Sequence, residues 1–150
     1  MNDRKVLVLG GTGAMGVYLV PELASLGYDV HVVSLDDVAS DHARISHVKA
    51  DAKNMDYLRE LLKESFDVIV DFMLYSTEQF RERHDLLLRS TDHYIFLSSY
   101  RVYDGGETPI TEDTPRLLDV SDNKEFLSTD DYSLTKARQE DIVQRSGYGN

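Results

Sequence analysis

The chain has 150 residues, which is enough for one domain on the usual prior of ~100–200 residues per domain. With 41% hydrophobic residues, 29% charged residues and three prolines, its composition is globular and excludes collagen-like and disordered classes. The absence of cysteine excludes disulfide scaffolds, thiolate zinc sites and catalytic thiols. The net charge of −11 disfavours a broad surface that neutralises the phosphates of a nucleic acid, and no apolar run approaches the ~20 residues that cross a bilayer. We therefore expect a cytoplasmic protein without a nucleic-acid or membrane partner.

Short β-branched runs alternate with longer amphipathic stretches, a pattern that indicates βαβ units and a parallel sheet. In chain order, the predicted elements are a strand at Lys5–Leu9, a helix near Ala14–Leu26, strands at Asp29–Ser34 and Ile45–Ala50, a helix near Met55–Glu64, a strand at Asp67–Phe72, a helix near Thr77–Arg89, a strand at Tyr94–Ser98 and a helix near Tyr132–Arg145. Residues 105–131 are rich in turn-forming and polar residues, which predicts a long loop at the rim of an active site.

Local chemistry supports the predicted helix ends. Gly27 suits the left-handed conformation that ends a helix, Asn54 is a helix cap, and Ser76 with Gln79 has capping-box spacing. Charged residues of the third helix are predicted to face water, opposite an apolar stripe. They are Glu78, Arg81, Glu82, Arg83 and Asp85, and the stripe is Phe80, Leu87 and Leu88.

A glycine-rich loop follows the first predicted strand and leads into the first helix, with glycines at the first, fourth and seventh positions of Gly10–Gly16. The first glycine permits a tight turn, the second lets a pyrophosphate approach the backbone, and the third lets the helix pack closely on the strand. Helix amides and the helix dipole then meet the anion. We interpret the loop as a dinucleotide site, and a turn retained only for packing is the alternative. The predicted cofactor-binding residues are Gly10, Thr12, Gly13, Ala14, Met15 and Gly16.

An acidic residue about 20 positions beyond such glycines commonly binds the ribose hydroxyls of the cofactor. Asp36 lies 20 residues past Gly16, and Asp37 follows it. Two carboxylates would repel a 2′-phosphate, and no basic residue follows this strand, so NAD is favoured and NADP is not excluded. An ordinary polar turn is the alternative interpretation of both aspartates.

Tyr132 and Lys136 have YxxxK spacing in the last predicted helix and therefore share one helical face. A tyrosine that titrates near its ordinary pKa of ~10 is a poor base at neutral pH, but an ammonium on the same face and a nearby nicotinamide cation favour the phenolate. Such a pair can exchange a proton with a substrate alcohol or carbonyl. A surface tyrosine near a solvated lysine is the alternative.

Ser98 and Ser99 end the fifth predicted strand, which we expect to be buried. Open parallel sheets bind ligands beyond the carboxyl ends of their strands, where a serine can hydrogen-bond the reacting oxygen. Paired serines also end strands for purely local reasons. In this chain order with the glycine loop and the Tyr132–Lys136 pair, chance is a poor explanation for them.

These motifs make the chain resemble the N-terminal half of an extended short-chain dehydrogenase/reductase of the NAD-dependent epimerase/dehydratase family. The resemblance runs over nearly all of the chain, through GGTGAMG at Gly10–Gly16, the strand end Lys49–Asp51, LSSYRVY at Leu97–Tyr103, PITEDTP at Pro109–Pro115 and YSLTK at Tyr132–Lys136. It implies that Ser99, Tyr132 and Lys136 form the catalytic set. It also implies that Asp51 hydrogen-bonds the adenine, that Lys136 holds the nicotinamide ribose, and that the last two predicted helices pair in a homodimer.

The sequence departs from this family in three ways. The ribose-binding acid of the family aligns with Ser34 rather than Asp36, and bulky Met73 and Leu74 replace small residues that line the cofactor. Family members also continue beyond Asn150 into a sixth strand and a smaller C-terminal substrate domain. We therefore expect residues 1–150 to be a truncated NAD(P)-binding domain that lacks the substrate domain. Whether this chain is active by itself stays an open question.

The predicted fold is an α/β doubly wound parallel sheet, the Rossmann fold, with strand order 3-2-1-4-5. The resemblance implies NAD(P)-dependent oxidoreduction of a carbinol in a small-molecule substrate, a nucleotide-sugar or related alcohol, with epimerisation, dehydration or dehydrogenation as the net reaction. A non-catalytic dinucleotide-binding redox sensor or partner-binding module is the alternative. The five histidines lack HxxxH or HExxH spacing, so no metal site is predicted.

Overall fold

The computed structural model describes residues 4–106 and 108–149, and these divide into two compact units. The first unit contains residues 4–74, 85–97 and 148–149, and the second contains residues 75–84, 98–106 and 108–147. Within the described ranges, no helix has the length and hydrophobicity that a membrane span requires.

A five-stranded parallel sheet forms the centre of the first unit. Its strands are β1 (Lys5–Leu9), β2 (Asp29–Ser34), β3 (Ile45–Lys49), β4 (Phe66–Asp71) and β5 (Thr91–Phe96), in the order β3-β2-β1-β4-β5. This order and the predicted α/β class are confirmed. β1 lies in the middle of the sheet, which explains its unbroken apolar run, because a central parallel strand is buried on both faces.

Four longer helices correspond to the four predicted ones. They are α1 (Gly16–Ser25), α2 (Met55–Leu61), α3 (Thr77–Arg89) and α6 (Tyr132–Arg145), of which α1 and α2 are shorter than predicted. The long loop predicted for residues 105–131 is wrong in part, because two short helices, α4 (Leu117–Val120) and α5 (Lys124–Leu127), occur there. A helix of a single turn is too short to show the apolar period that reveals a helix in sequence.

The core of the first unit lies between the sheet and α1. Alternate residues of the central strands and one face of the helix are buried together, as the apolar periods of two in the strands and of about 3.6 in the helix require. The residues of this cluster are Val6, Val8, Val20, Ala24, Val30, Val32 and Val70. Their burial packs the second half of α1 against β1, β2 and β4.

The predicted helix ends are confirmed by local geometry. Gly27 follows α1 with a φ of +93°, where a side chain would be strained. The side chain of Asn54 accepts bonds from two amides in the first turn of α2, at 3.0 and 3.1 Å. Ser76 and Gln79 form the reciprocal pair of a capping box, at 3.0 and 3.1 Å.

β5 differs most from its prediction. It runs from Thr91 to Phe96, so Ser98 lies beyond its end rather than within it. It is also the edge strand of the described sheet, and 42% of Ile95 is exposed, which contradicts the expectation of a buried strand. Its polar first half pairs with β4 because ladder hydrogen bonds use backbone groups and do not depend on apolar side chains.

Arg83 contradicts the prediction that it faces water, because only 2% of its side chain is exposed. Its Nε donates to the carbonyl of Gln79 at 2.6 Å, and its guanidinium lies 4.6 Å from the centre of the Tyr75 ring. A backbone acceptor and an aromatic face offset the cost of removing the cation from water. Charge patterning missed this position because the long apolar stem of arginine can be buried.

Tyr94 and Asp71 form a buried hydrogen bond in the first unit. The Tyr94 hydroxyl donates to Asp71 Oδ2 at 2.8 Å, and the amide of Met73 donates to Asp71 Oδ1 at 2.9 Å. Tyr94→Phe is expected to lower the free energy of unfolding by about 1–3 kcal/mol, because a buried carboxylate loses a donor. Chemical denaturation measures this loss. Tyr18→Phe, at an exposed position, is the control, and equal stability of wild type and Tyr94→Phe would contradict the role given to this bond.

Candidate functional site

The glycine loop joins β1 to α1 and needs glycine at several positions for different reasons. Gly10 has a φ of +76°, which confirms the predicted tight turn. A Cβ on Gly16 would lie 2.0 Å from the carbonyl oxygen of Gly11, so no side chain fits there. A Cβ on Gly13 would meet only the oxygen of Gly10, at 3.6 Å. The space above Gly13 is therefore open to a ligand, whereas Gly16 is required by the fold itself.

Gly11 is a further constrained position that the spacing pattern missed. A Cβ there would lie 2.8 Å from Val32 and 2.9 Å from Val8, both in the core of the sheet. The doubled glycine at the end of β1 was the available signal for it, since only the first glycine of that pair belongs to the spacing pattern.

The N-terminus of α1 has amides without side-chain partners. Met15 is the N-cap residue and makes no side-chain cap bond, and the first turn contains no acidic residue. In the described part of the chain, the amides of Ala14 and Met15 donate to no acceptor. By contrast, Asn54 and Asp131 cap α2 and α6 with their side chains. Uncapped amides and the positive end of a ten-residue helix fit an anion such as a diphosphate.

Asp36 lies against this loop. Thr12 Oγ1 donates to Asp36 Oδ2 at 2.5 Å, which brings two predicted cofactor-binding residues into contact. Ser34, the family-aligned alternative, is buried and exchanges hydrogen bonds with the backbone of Asp36, at 3.3 and 3.4 Å. Of the two positions, Asp36 therefore presents its carboxylate beside the loop, and Ser34 supports the turn that carries it.

The end of β3 adds two groups at this edge of the sheet. Asp51 is exposed two residues after β3 and accepts a bond from the amide of Lys53 at 2.8 Å. Lys49 Nζ lies 3.8 Å from a carboxylate oxygen of Asp37. A basic residue therefore lies near the end of β2 after all, contributed by the neighbouring strand rather than by the residues that follow β2.

Residues after β4 contact the glycine loop from the other side. A Cβ on Gly10 would lie 3.2 Å from the sulfur of Met73, so this bulky residue packs under the turn, while Leu74 is exposed. Asp71 fixes Met73 through the hydrogen bond that it accepts from the backbone amide of Met73. Sequence reasoning did not assign a role to Asp71, although a carboxylate that ends a buried strand is a signal for one.

Tyr132 and Lys136 lie on α6 in the second unit. Asp131 caps this helix, and its pKa is lowered, chiefly by the hydrogen bond from the Ser133 side chain. Tyr132 is 36% exposed and Lys136 is 3% exposed, so the predicted solvated lysine of the alternative interpretation is wrong. The guanidinium of Arg101 lies 5.3 Å from the centre of the Tyr132 ring. No sequence pattern predicts this contact.

Ser99 precedes a short 3-10 turn, Tyr100–Val102, that packs against α6 in the same unit. Its Oγ accepts a bond from the amide of Arg101 at 3.2 Å, and its carbonyl accepts one from the amide of Val102 at 3.1 Å. Ser99 and Tyr132 are thus linked through Arg101, two residues beyond the serine. The neighbouring Ser98 instead donates its hydroxyl to Glu140 of α6.

The parallel sheet in this order, with a glycine loop entering the first helix, defines a doubly wound α/β domain of the Rossmann type. The chain belongs to the NAD dependent epimerase/dehydratase family, whose sequence profile matches residues 6–148. The predicted family is therefore confirmed.

Solved structures of similar fold include two enzymes named for nucleotide sugars and a third enzyme solved with NAD+. A UDP-Glc/GlcNAc 4-epimerase from Campylobacter jejuni is 18% identical with a TM-score of 0.75, and the match covers 98% of this chain and 50% of the epimerase chain. The Bordetella bronchiseptica enzyme WbmH, in complex with NAD+, is 16% identical with a TM-score of 0.71, covering 96% and 52%. A Bacillus anthracis dTDP-glucose 4,6-dehydratase in complex with NAD is 23% identical with a TM-score of 0.67, covering 93% and 49%. The chain thus spans about half the length of these proteins.

A curated relative carries a different kind of name. The chloroplast stem-loop binding protein of 41 kDa b from Arabidopsis thaliana is 28% identical over 117 residues, which are 68% of this chain and 31% of that protein. The chain therefore spans about a third of this relative.

Proposed function

We propose that the protein containing this chain is an NAD-dependent enzyme that acts on a carbinol carbon of a nucleotide-sugar or related alcohol, with epimerisation or dehydration as the net reaction. The observation that carries the proposal is the uncapped amides of Ala14 and Met15 beside the Thr12–Asp36 bond. This arrangement provides anion-binding amides and a ribose-binding carboxylate on one loop. Membership in an NAD dependent family supports NAD as the cofactor.

The residues of the first unit fit the adenosine diphosphate half of NAD. In the proposed complex, the diphosphate binds the amides of the loop, with Gly10 and Gly16 shaping its turn and Gly13 leaving room for the anion. Asp36 accepts bonds from the ribose hydroxyls, and Asp51 hydrogen-bonds the adenine. Asp36 and Asp37 disfavour a 2′-phosphate, although Lys49 at 3.8 Å from Asp37 reduces that repulsion. NADP therefore remains a second cofactor to test.

The residues of the second unit would handle the proton and the substrate oxygen. NAD, when bound, supplies a hydride acceptor for the carbinol carbon. Tyr132, as its phenolate, takes the hydroxyl proton while the C–O bond becomes a carbonyl, and it returns a proton when the carbonyl is reduced. Ser99 donates a hydrogen bond to the same oxygen. Lys136 presents its ammonium four residues along the helix and binds the nicotinamide ribose.

Three further parts of the proposal concern the whole protein. The substrate class rests on the sugar-nucleotide enzymes among proteins of similar fold. A homodimer through α3 and α6 rests on the family resemblance alone, and a cytoplasmic location is the expectation from composition. Sedimentation at micromolar concentration tests the dimer, and a clean monomer would remove it.

The non-catalytic module is the second candidate, since Met73 and Leu74 replace small residues expected near the cofactor. The curated relative is named as a stem-loop binding protein, which makes stem-loop binding a further activity to consider for a non-catalytic module. A net charge of −11 disfavours that activity here, because binding of nucleic acid is driven by lysine and arginine, which neutralise phosphates and so release the counterions condensed around them.

The proposal is tested with the full-length protein, NAD and a panel of UDP- and dTDP-sugars, with the products followed by NMR. Epimerised or dehydrated sugar is expected, without net accumulation of NADH. Tight NADH binding with no turnover on any alcohol or sugar nucleotide would favour the non-catalytic module. Accumulation of NADH would instead indicate a simple dehydrogenase.

A further inference from the structure

The segment Ser98–Tyr103, which carries Ser99, is held at both of its ends within the second unit. At one end, the Ser98 hydroxyl donates to Glu140 Oε1 on α6. At the other end, Tyr103 pairs with Arg116 in an isolated antiparallel bridge, and the next amide, of Asp104, donates to the carbonyl of Pro115 at 2.7 Å. One end of the segment is therefore held by Glu140, and the other end is held by the strand-like pairing with Arg116.

Glu140 and Arg116 bind each other. Arg116 Nη1 donates to Glu140 Oε2 at 3.1 Å, so the two carboxylate oxygens of Glu140 serve Arg116 and Ser98 separately. The same guanidinium binds Asp119 through two hydrogen bonds, at 2.8 and 3.1 Å, and Asp141 through one, at 2.9 Å. Arg116, Glu140 and Asp141 are 20%, 21% and 22% exposed, which reduces screening by solvent. These contacts, chiefly the hydrogen bond with Asp119, raise the pKa of Arg116.

Glu140 also lies on the helical face of the proposed catalytic pair. It follows Lys136 by four residues and Tyr132 by eight, and residues at this spacing lie one above another on a helix. One stripe of α6 thus carries the tyrosine, the lysine and the carboxylate that holds Ser98. The ion pair with Arg116 fixes the far end of the serine segment to the same stripe.

We propose that Glu140 and Arg116 are positioning residues, which hold the Ser98–Tyr103 segment so that Ser99 keeps a fixed place relative to Tyr132 and Lys136. This inference rests on the proposed function of Ser99. Glu140 itself is not a proton-transfer group, because both of its oxygens are engaged within the protein. Its effect is geometric, and small displacements of an orienting group cost large factors in rate.

Hydrogen exchange tests the structural half of the proposal without any substrate. The amides of Arg101 and Val102 report on the segment because both bond to Ser99. Ser98→Ala and Glu140→Gln are expected to accelerate their exchange by roughly tenfold or more. Asp141→Asn is the matched control, since it removes the charge of an Arg116 partner of similar burial on the same helix but leaves Ser98 and Glu140 in contact. Unchanged exchange in Ser98→Ala and Glu140→Gln, or equal acceleration in Asp141→Asn, would overturn the proposal.

Kinetics of the full-length enzyme test the catalytic half. Ser98→Ala is expected to lower kcat by roughly 10- to 100-fold with an unchanged KM for NAD, because orientation and not binding is lost. In a Ser99→Ala background, Ser98→Ala should cost less than about twofold, because the group being oriented is already absent. Full additivity of the two substitutions would overturn the positioning role. Absence of turnover in the wild type would instead reject the proposed function, and the exchange experiment would still decide whether the segment is held by Glu140.

Discussion

Tyr132→Phe is expected to lower the turnover of the full-length enzyme by ~10²–10⁴-fold while leaving its affinity for NADH within about twofold of wild type. The substitution removes only the hydroxyl that would carry the proton. The ring and its contact with the Arg101 guanidinium, at 5.3 Å, are retained. A loss of kcat with unchanged coenzyme binding is the signature of a group that acts in the transition state. Steady-state kinetics and a fluorescence titration with NADH provide the two measurements.

Tyr100→Phe is the matched control for this substitution. Tyr100 lies in the 3-10 turn next to Ser99, is exposed, and has no proposed role. It should therefore retain kcat within about twofold, as exposed positions away from a site usually do. Wild-type turnover in Tyr132→Phe would contradict the assignment of Tyr132, and an equal loss in both variants would indicate that the turn itself had been disturbed.

Gly16→Ala is expected to destabilise the first unit by about 3 kcal/mol, because the new Cβ would lie 2.0 Å from the Gly11 carbonyl oxygen. The atom it meets is backbone, so relief requires the loop and the start of α1 to move apart. Chemical denaturation measures the loss. A variant as stable as wild type would contradict the close approach of Gly11 and Gly16.

Gly13→Ala separates folding from binding on the same loop. Its Cβ would meet only the Gly10 oxygen, at an ordinary contact distance of 3.6 Å, so stability should change by less than about 0.5 kcal/mol. Affinity for NADH should nevertheless fall by tenfold or more, because the methyl group takes the space proposed for the diphosphate. Wild-type affinity in a folded Gly13→Ala variant would contradict a diphosphate at this point of the loop.

The fold was largely predictable because its signals are local. Buried apolar runs identify β1 and β2 to the residue, and Asn54 and the Ser76–Gln79 pair identify helix starts. The predicted start of β5 came too late in the chain because the first half of this strand is polar and pairs only through its backbone. Arg83 was misplaced because burial of a cation depends on an aromatic face and a carbonyl brought near by folding.

The candidate site was predictable where its residues are close in sequence. The glycine loop and the YxxxK pair each fall within seven residues, and spacing alone relates them to one turn or one helical face. The contact of Ser98 with Glu140 joins residues 42 apart, and that of Arg116 with Glu140 joins residues 24 apart. No local pattern encodes such contacts. The spacing of Glu140 from Lys136 was a usable signal, since it extends the helical stripe by one further turn.

The central claim is that the amides at the start of α1 bind the diphosphate of NAD. An NMR titration of isotope-labelled protein with NAD measures this residue by residue. The amides of Gly13, Ala14 and Met15 are expected to show the largest shifts, and Asp36 is expected to respond with them. Gly13→Ala should abolish these changes at the same coenzyme concentration. Saturable binding that leaves the amides of this loop unshifted would contradict it.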